Sequence, residues 1–283
     1  MADSPRSSEP SASENSPYGH VLYEVDGGIA TLTLNEPAHL NPMTKGIMSD
    51  TIAALSSAHF DRNVRVVIVT GAGRAFSSGG DLNQLGPSAD GATGEPPTAY
   101  ERRSWLRRTQ RMVLALRECE KPVIAAVNGV AAGGGCDIAL ACDIRFASDR
   151  ARFGEVFARI GLFPGTGGTY LLPRVVGIAK ALEMIWTGDM IDAVEAERIG
   201  LVSRVIPHDD LLAETRAFAA RLAAGPPLAL GLAKAAVYRG LDLDLAAAFD
   251  YAATAEAITL TSQDHREGVA AFRERRTPEF KGR

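Results

Sequence analysis

Long apolar runs are missing from this chain. No stretch of its 283 residues approaches the ~20 consecutive apolar residues that cross a bilayer as a helix, so no membrane partner is expected. Cysteine is scarce and odd in number: Cys119, Cys136 and Cys142, with neither CxxC nor Cys/His metal spacing. A disulfide framework or a zinc site is therefore not expected, and three free thiols fit a reducing cytoplasm. Positive charge is also in short supply. Thirty Lys and Arg against 34 Asp and Glu leave a net charge of −4, with no broad basic field to attract nucleic acid. Neither GxGxxG nor GxxxxGK[ST] occurs, which argues against redox and phosphoryl-transfer enzymes built on nucleotide phosphates. The opening MADSPRSSEPSASENSP lacks the apolar core of a signal peptide, and residues 1–18 read as a disordered tail.

What is present is an ordinary globular composition, 46% hydrophobic and 23% charged, enough for one large domain with an appendage. VLYEV and IATLTLN around Asp26-Gly27-Gly28 signal a hairpin. Residues 44–59 read as a helix with Thr44 as N-cap. The β-branched run VRVVIVT at 64–70 reads as a strand buried on both faces. A Gly/Pro-rich loop over 83–97 precedes a charged amphipathic helix over 98–119. Further strands at 122–127 and 143–147 flank a helix at 133–141. This alternation predicts an α/β sheet with crossover helices over 19–205. A short strand at 203–206 then leads into a helical region over 206–283, ending in one long helix at 244–275.

The 28 glycines cluster. Ala75-Phe76-Ser77-Ser78-Gly79-Gly80-Asp81-Leu82 follows one buried strand, and Asn128-Gly129-Val130-Ala131-Ala132-Gly133-Gly134-Gly135-Cys136-Asp137 follows the next. Ligands bind at strand ends in such sheets. Glycine there exposes backbone N–H groups, and in the second loop those groups also open a helix, where the dipole favours negative charge. Each loop taken alone also fits a plain turn with a helix cap.

Taken together, these segments and their order resemble the crotonase superfamily, the enoyl-CoA hydratase/isomerase family. The resemblance rests on NEPAHLN at 35–41, FSSGGDL at 76–82, NGVAAGGGCDIALACDIRFAS at 128–148, ARFGEVFARIGLFPGTGGTYLLPR at 151–174 and GDMIDAVEAERIGLVSRV at 188–205. It runs from about residue 20 to the C-terminus. It implies a crotonase-like (ClpP/crotonase) fold of repeated ββα units with a C-terminal helical trimerisation region. It also implies a coenzyme A thioester as substrate and no tightly bound cofactor. By position, the amides of Gly80 and Gly134 would flank the thioester oxygen. Chemistry at the α or β carbon builds enolate charge there, and each oriented donor is worth roughly 2.7–4 kcal/mol. Ala38, His39, Leu40, Ala75, Ser77, Ser78, Gly79, Asp81, Leu82, Gly133 and Phe157 would border the substrate. Phe272 and Arg275 would reach the CoA of a neighbouring subunit, in a homotrimer or a dimer of trimers.

The chain also departs from that pattern. Hydratases of this type use two glutamates on a shared water. The first position holds Asp137, shorter by one methylene, a loss of reach of roughly 1.5 Å. The second holds Phe157, which cannot move protons. A third acidic position seen in relatives holds Gly165. Asp137 is either a first-turn carboxylate supporting its helix or the acid/base, and the family position favours the latter. Glu155, two residues before Phe157, would face another side if the segment were helical, which argues against it as a substitute. One acid suits double-bond isomerisation more easily than water addition. Hydration or isomerisation of enoyl-CoA is the leading expectation, and an acyl-CoA-binding protein with little or no catalysis is the alternative.

Overall fold

The computed structural model describes residues 16–81 and 97–283. β1 (Val21–Asp26) and β2 (Ile29–Leu34) form the antiparallel hairpin, turning at Gly27 and Gly28, both at positive φ as a tight turn requires. Helix α1 (Lys45–Phe60) starts at Thr44, whose side chain accepts the Ile47 amide. Then come β3 (Val66–Gly71), β4 (Ala75–Ser77) and α2 (Ala99–Glu118). Thr98 and Glu101 close a reciprocal capping box at the start of α2. β5 (Val123–Val127), β6 (Val130–Ala132), α3 (Gly134–Ala141), β7 (Ile144–Ser148) and β8 (Arg152–Gly154) follow. The chain continues through α4 (Gly168–Val176), α5 (Ile178–Thr187), β9 (Ile191–Asp192), α6 (Ala193–Arg198) and β10 (Arg204–Ile206). It ends in α7 (Leu211–Ala223), α8 (Pro227–Gly240), α9 (Leu245–Leu260) and α10 (Gln263–Glu274).

Two sheets organise these elements. The larger has the order β1-β2-β3-β5-β7-β10, parallel except for the hairpin, and the smaller has the order β4-β6-β8-β9. Each of β3, β5 and β7 hands the chain to a short strand of the second sheet before the next helix. These are the repeated ββα units. β3 shows why the large sheet is so apolar: all six residues are buried. Val67 and Val69 face the cluster formed with α1, α2 and α3, while Val66 and Ile68 face Leu211 and Ala219 of α7. Burying each such side chain stabilises the fold by about 1.5–3 kcal/mol.

Three expectations differ from the structure. The second sheet was not anticipated, because its strands have two or three residues each, too few for an alternating pattern. The single helix expected over 244–275 is two helices. Ser262 accepts the His265 amide at 3.0 Å and starts a new helix there, as a short hydroxyl does at an N-cap. At the tail's expected end, Tyr18 packs edge-on against Tyr23 at 5.9 Å and shares a hydrogen bond with Ser57. Leu82, and the expected loop as far as residue 96, lie outside the described residues, as do residues 1–15. Among the described residues no helix is long and apolar enough to cross a membrane.

Candidate active site

The first glycine turn is held by the segment before α1. Asn41 is fully buried, and its amide nitrogen donates to the carbonyls of Ala72 and Ala75 at 3.0 and 2.9 Å. The Ser77 hydroxyl donates to the Asn41 carbonyl at 2.7 Å. The Ser78 amide donates to Leu40, and the Met43 amide donates to Gly79 O at 2.7 Å. Leu40 and Asn41 both adopt positive φ to make this fit. The next amide, that of Gly80, has no acceptor among the described residues.

The second turn ends β6. Gly133, at φ 51°, donates its amide to Gly154 O at 2.8 Å and swings the chain into α3. Gly134 is the first residue of α3, so its N–H has no partner within the helix. Elsewhere among the described residues it has none either. The two turns touch. A Cβ on Gly79, itself at φ 86°, would stand 2.9 Å from Gly134 N and collide with Ala132 O. Only glycine permits this approach. Two unspent amides thus sit on touching turns, one of them at a helix N-terminus, where negative charge is favoured.

Behind them lies a pair of buried acids. Asp137, in the first turn of α3, is 0% exposed. Its Oδ2 accepts a hydrogen bond from Thr166, so the side chain serves a neighbouring loop rather than the amides of its own helix. Burial pushes its carboxyl up to about 7, against the opposing pull of the Thr166 hydroxyl. Glu155 is also 0% exposed. Burial first, then the neighbouring Asp137, hold its carboxyl well above the ordinary range. The segment is not helical at Glu155. β8 ends at Gly154 and a short 3-10 turn spans Val156–Ile160, with Glu155 at φ −92°, ψ 68° between them. The helical argument against Glu155 therefore fails, and its carboxylate faces inward. A Cβ on Gly168, the first residue of α4, would stand 2.7 Å from Glu155 Oε2 and 2.8 Å from Asp137 Oδ1. The missing side chain makes room for both acids. Thr166 and Gly168 were not singled out in the sequence. The signal was present in the same PGTGGT stretch that supplies Gly165.

A cleft of about 650 Å³ opens in front of the turns, and His39, Ser78, Gly80, Asp81, Gly133 and Phe157 line it. Phe157 is half-buried, its ring 3.4 Å from where a Cβ on Gly133 would sit. Ala75 and Ser77 are buried beneath the cleft in β4. Ala38 is exposed and Leu40 half-exposed beside His39. Phe272 and Arg275 do not join the cleft of their own chain. Phe272 is 86% exposed and borders a separate groove with Pro226 and Val269, and Arg275 caps α10 at φ 55°. Among the described residues no three His, Cys, Asp or Glu side chains gather as a metal would need.

The family model for enoyl-CoA hydratase/isomerase matches residues 24–283. The crotonyl-CoA hydratase of Syntrophomonas wolfei is 36% identical over 264 residues, covering 93% of this chain and 98% of that one. The short-chain-enoyl-CoA hydratase of Clostridium acetobutylicum is 37% identical over 268 residues, with the same coverage. The crystal structure of an enoyl-CoA hydratase from Bacillus anthracis has a TM-score of 0.87 at 32% identity, covering 93% of this chain and 100% of that one. The chain is therefore an enzyme of the enoyl-CoA hydratase/isomerase family.

Proposed function

We propose that the enzyme hydrates or isomerises an enoyl-CoA thioester through an enolate held by the amides of Gly80 and Gly134, with Asp137 carrying the proton. One observation carries this reading: two amides without internal acceptors lie on touching turns, next to a buried carboxyl. A thioester oxygen between those amides gains most when it becomes negative, so the hole favours the transition state over the ground state. Asp137 opens the helix whose first residue, Gly134, supplies one of the amides. An acid near 7 is poised to take and return a proton at neutral pH. No tightly bound cofactor is needed, because the backbone itself polarises the carbonyl.

The named relatives support an enoyl-CoA substrate. The cleft bounded by His39, Ser78, Asp81 and Phe157 offers the passage for its CoA portion. The binder alternative fits less well, because a protein that only held acyl-CoA would have no use for two buried acids with unpartnered oxygens beyond the hole. Oligomerisation is part of the proposal. α8 and α9 have no fully buried residue, and Leu245, Phe249 and Leu260 stand 69, 64 and 53% exposed. Apolar faces of that kind favour subunit contact. A homotrimer or a dimer of trimers, with Phe272 and Arg275 lent to a neighbour's CoA, is the assembly we infer. A cytoplasmic location fits the three buried free thiols.

The test follows absorbance and mass on incubation with crotonyl-CoA and with a 3-enoyl-CoA. Turnover of either, lost in Asp137→Asn, supports the reading. Tight binding of several CoA esters with no turnover would restore the binder.

A further inference from the structure

We propose that Glu155 is the second proton carrier of this site, replacing the acid whose family position is occupied by Phe157, and that the enzyme thereby adds water to a 2-enoyl-CoA. This rests on the reading just given.

Among the described residues Asp264, also buried, takes the amides of Lys281 and Gly282, and the half-buried Asp143 takes the Val123 amide, the Tyr238 hydroxyl and the Lys234 ammonium. Glu155 differs. Neither of its oxygens completes a hydrogen bond among the described residues, and Asp137 Oδ1 is likewise unpartnered. The groups beside it are the Asp137 carboxyl, the Cys136 thiol and the Gly168 backbone, with no cation among them. Two acids buried together with unpartnered oxygens and no cation beside them weaken a fold, so function is the better account of their presence. Chain geometry explains the inward aim. Phe153 and Glu155 are both fully buried two residues apart at the end of β8, as same-side positions of an extended chain. Phe157 lies beyond, in the 3-10 turn, on the cleft wall.

The partners also divide the roles. Thr166 donates to Asp137, which favours its anion, whereas Glu155, with only the weak Cys136 thiol beside it, is buried facing that anion and retains its proton. In the forward reaction Asp137 takes a proton from water as the water oxygen bonds to C3. The C2=C3 π pair shifts toward the thioester, and the oxygen becomes an enolate on the Gly80 and Gly134 amides. Glu155 then gives its proton to C2 as the enolate collapses to the thioester. Asp137 now holds a proton and Glu155 is ionised. A proton passing between the adjacent carboxyls restores the starting state, with one water consumed.

The test measures crotonyl-CoA hydration by wild type, Glu155→Gln, Asp137→Asn and the double variant Glu155→Gln/Phe157→Glu, each checked for its urea midpoint. General acid catalysis contributes about 10²–10⁴-fold. Glu155→Gln is expected to lose kcat by at least about 100-fold with KM within threefold, and to lose the alkaline limb of the pH profile. The double variant is expected to recover part of that loss by placing an acid at the family position, an outcome a structural role for Glu155 would not produce. Hydration by Glu155→Gln within threefold of wild type, with Asp137→Asn inactive, would overturn this assignment and leave the enolate reading standing. Absence of any turnover by wild type would sink the enolate reading, and this one with it.

Discussion

Replacing Asp137 by Asn is expected to stabilise the protein in a pH-dependent way. Burial raises the carboxyl from an ordinary 3.8 to about 7. The sign follows from linkage. An acid whose folded pKa is raised adds stability that is fully present below the unfolded value and is lost as pH climbs to the folded value. Wild type therefore weakens between about pH 4 and pH 7, at about 1.4 kcal/mol per pH unit, relative to a side chain that does not titrate. The gap between Asp137→Asn and wild type should open across that window and level off near 4 kcal/mol above about pH 7. Removing the anion beside Glu155 adds in the same direction. The Asn oxygen can still accept from Thr166, so the packing survives. Urea denaturation at fixed protein concentration from pH 4 to pH 8 measures the gap directly, and titrations common to both proteins cancel. A gap that stays flat, or a variant that loses ground as pH rises, would refute a buried, proton-holding Asp137.

Other outcomes follow from the same geometry. Gly168→Ala places a methyl 2.7 and 2.8 Å from the two acids, so turnover should fall at least tenfold while circular dichroism stays unchanged. Thr166→Val removes the donor to Asp137 and should move the acid limb of the activity profile upward, readable from kcat/KM against pH. Gly79→Ala forces a side chain into φ 86° and against Ala132 O, and should abolish turnover more severely than Gly134→Ala, where the flexible Met43 side chain can give way. Removal of residues 271–283 should weaken CoA binding, measured by calorimetry; unchanged affinity would reject a role for Phe272 and Arg275.

Much of the fold was legible in local patterns. The buried strand at 66–71, the Asp26-Gly27-Gly28 turn and the Thr44 cap each rest on one physical rule acting over a few residues. The glycine turns were legible as well, because only glycine tolerates the approach of Gly79 to Gly134. What escaped depends on contacts distant in sequence. The short second-sheet strands are defined by neighbours rather than by their own period. The inward aim of Glu155 is not legible in ARFGEVF, because pairing of β8 with β6 keeps the chain extended up to Gly154. Thr166 and Gly168 matter only because α4 docks beside α3, which no spacing within PGTGGT reveals.

The most direct measurement is a crystal structure with 3-hydroxybutyryl-CoA bound. The account places the thioester oxygen about 2.7–3.1 Å from both the Gly80 and Gly134 nitrogens, with the C3 hydroxyl against Asp137 and C2 toward Glu155. A thioester oxygen bound elsewhere, or an acyl chain that never reaches the two acids, would contradict it.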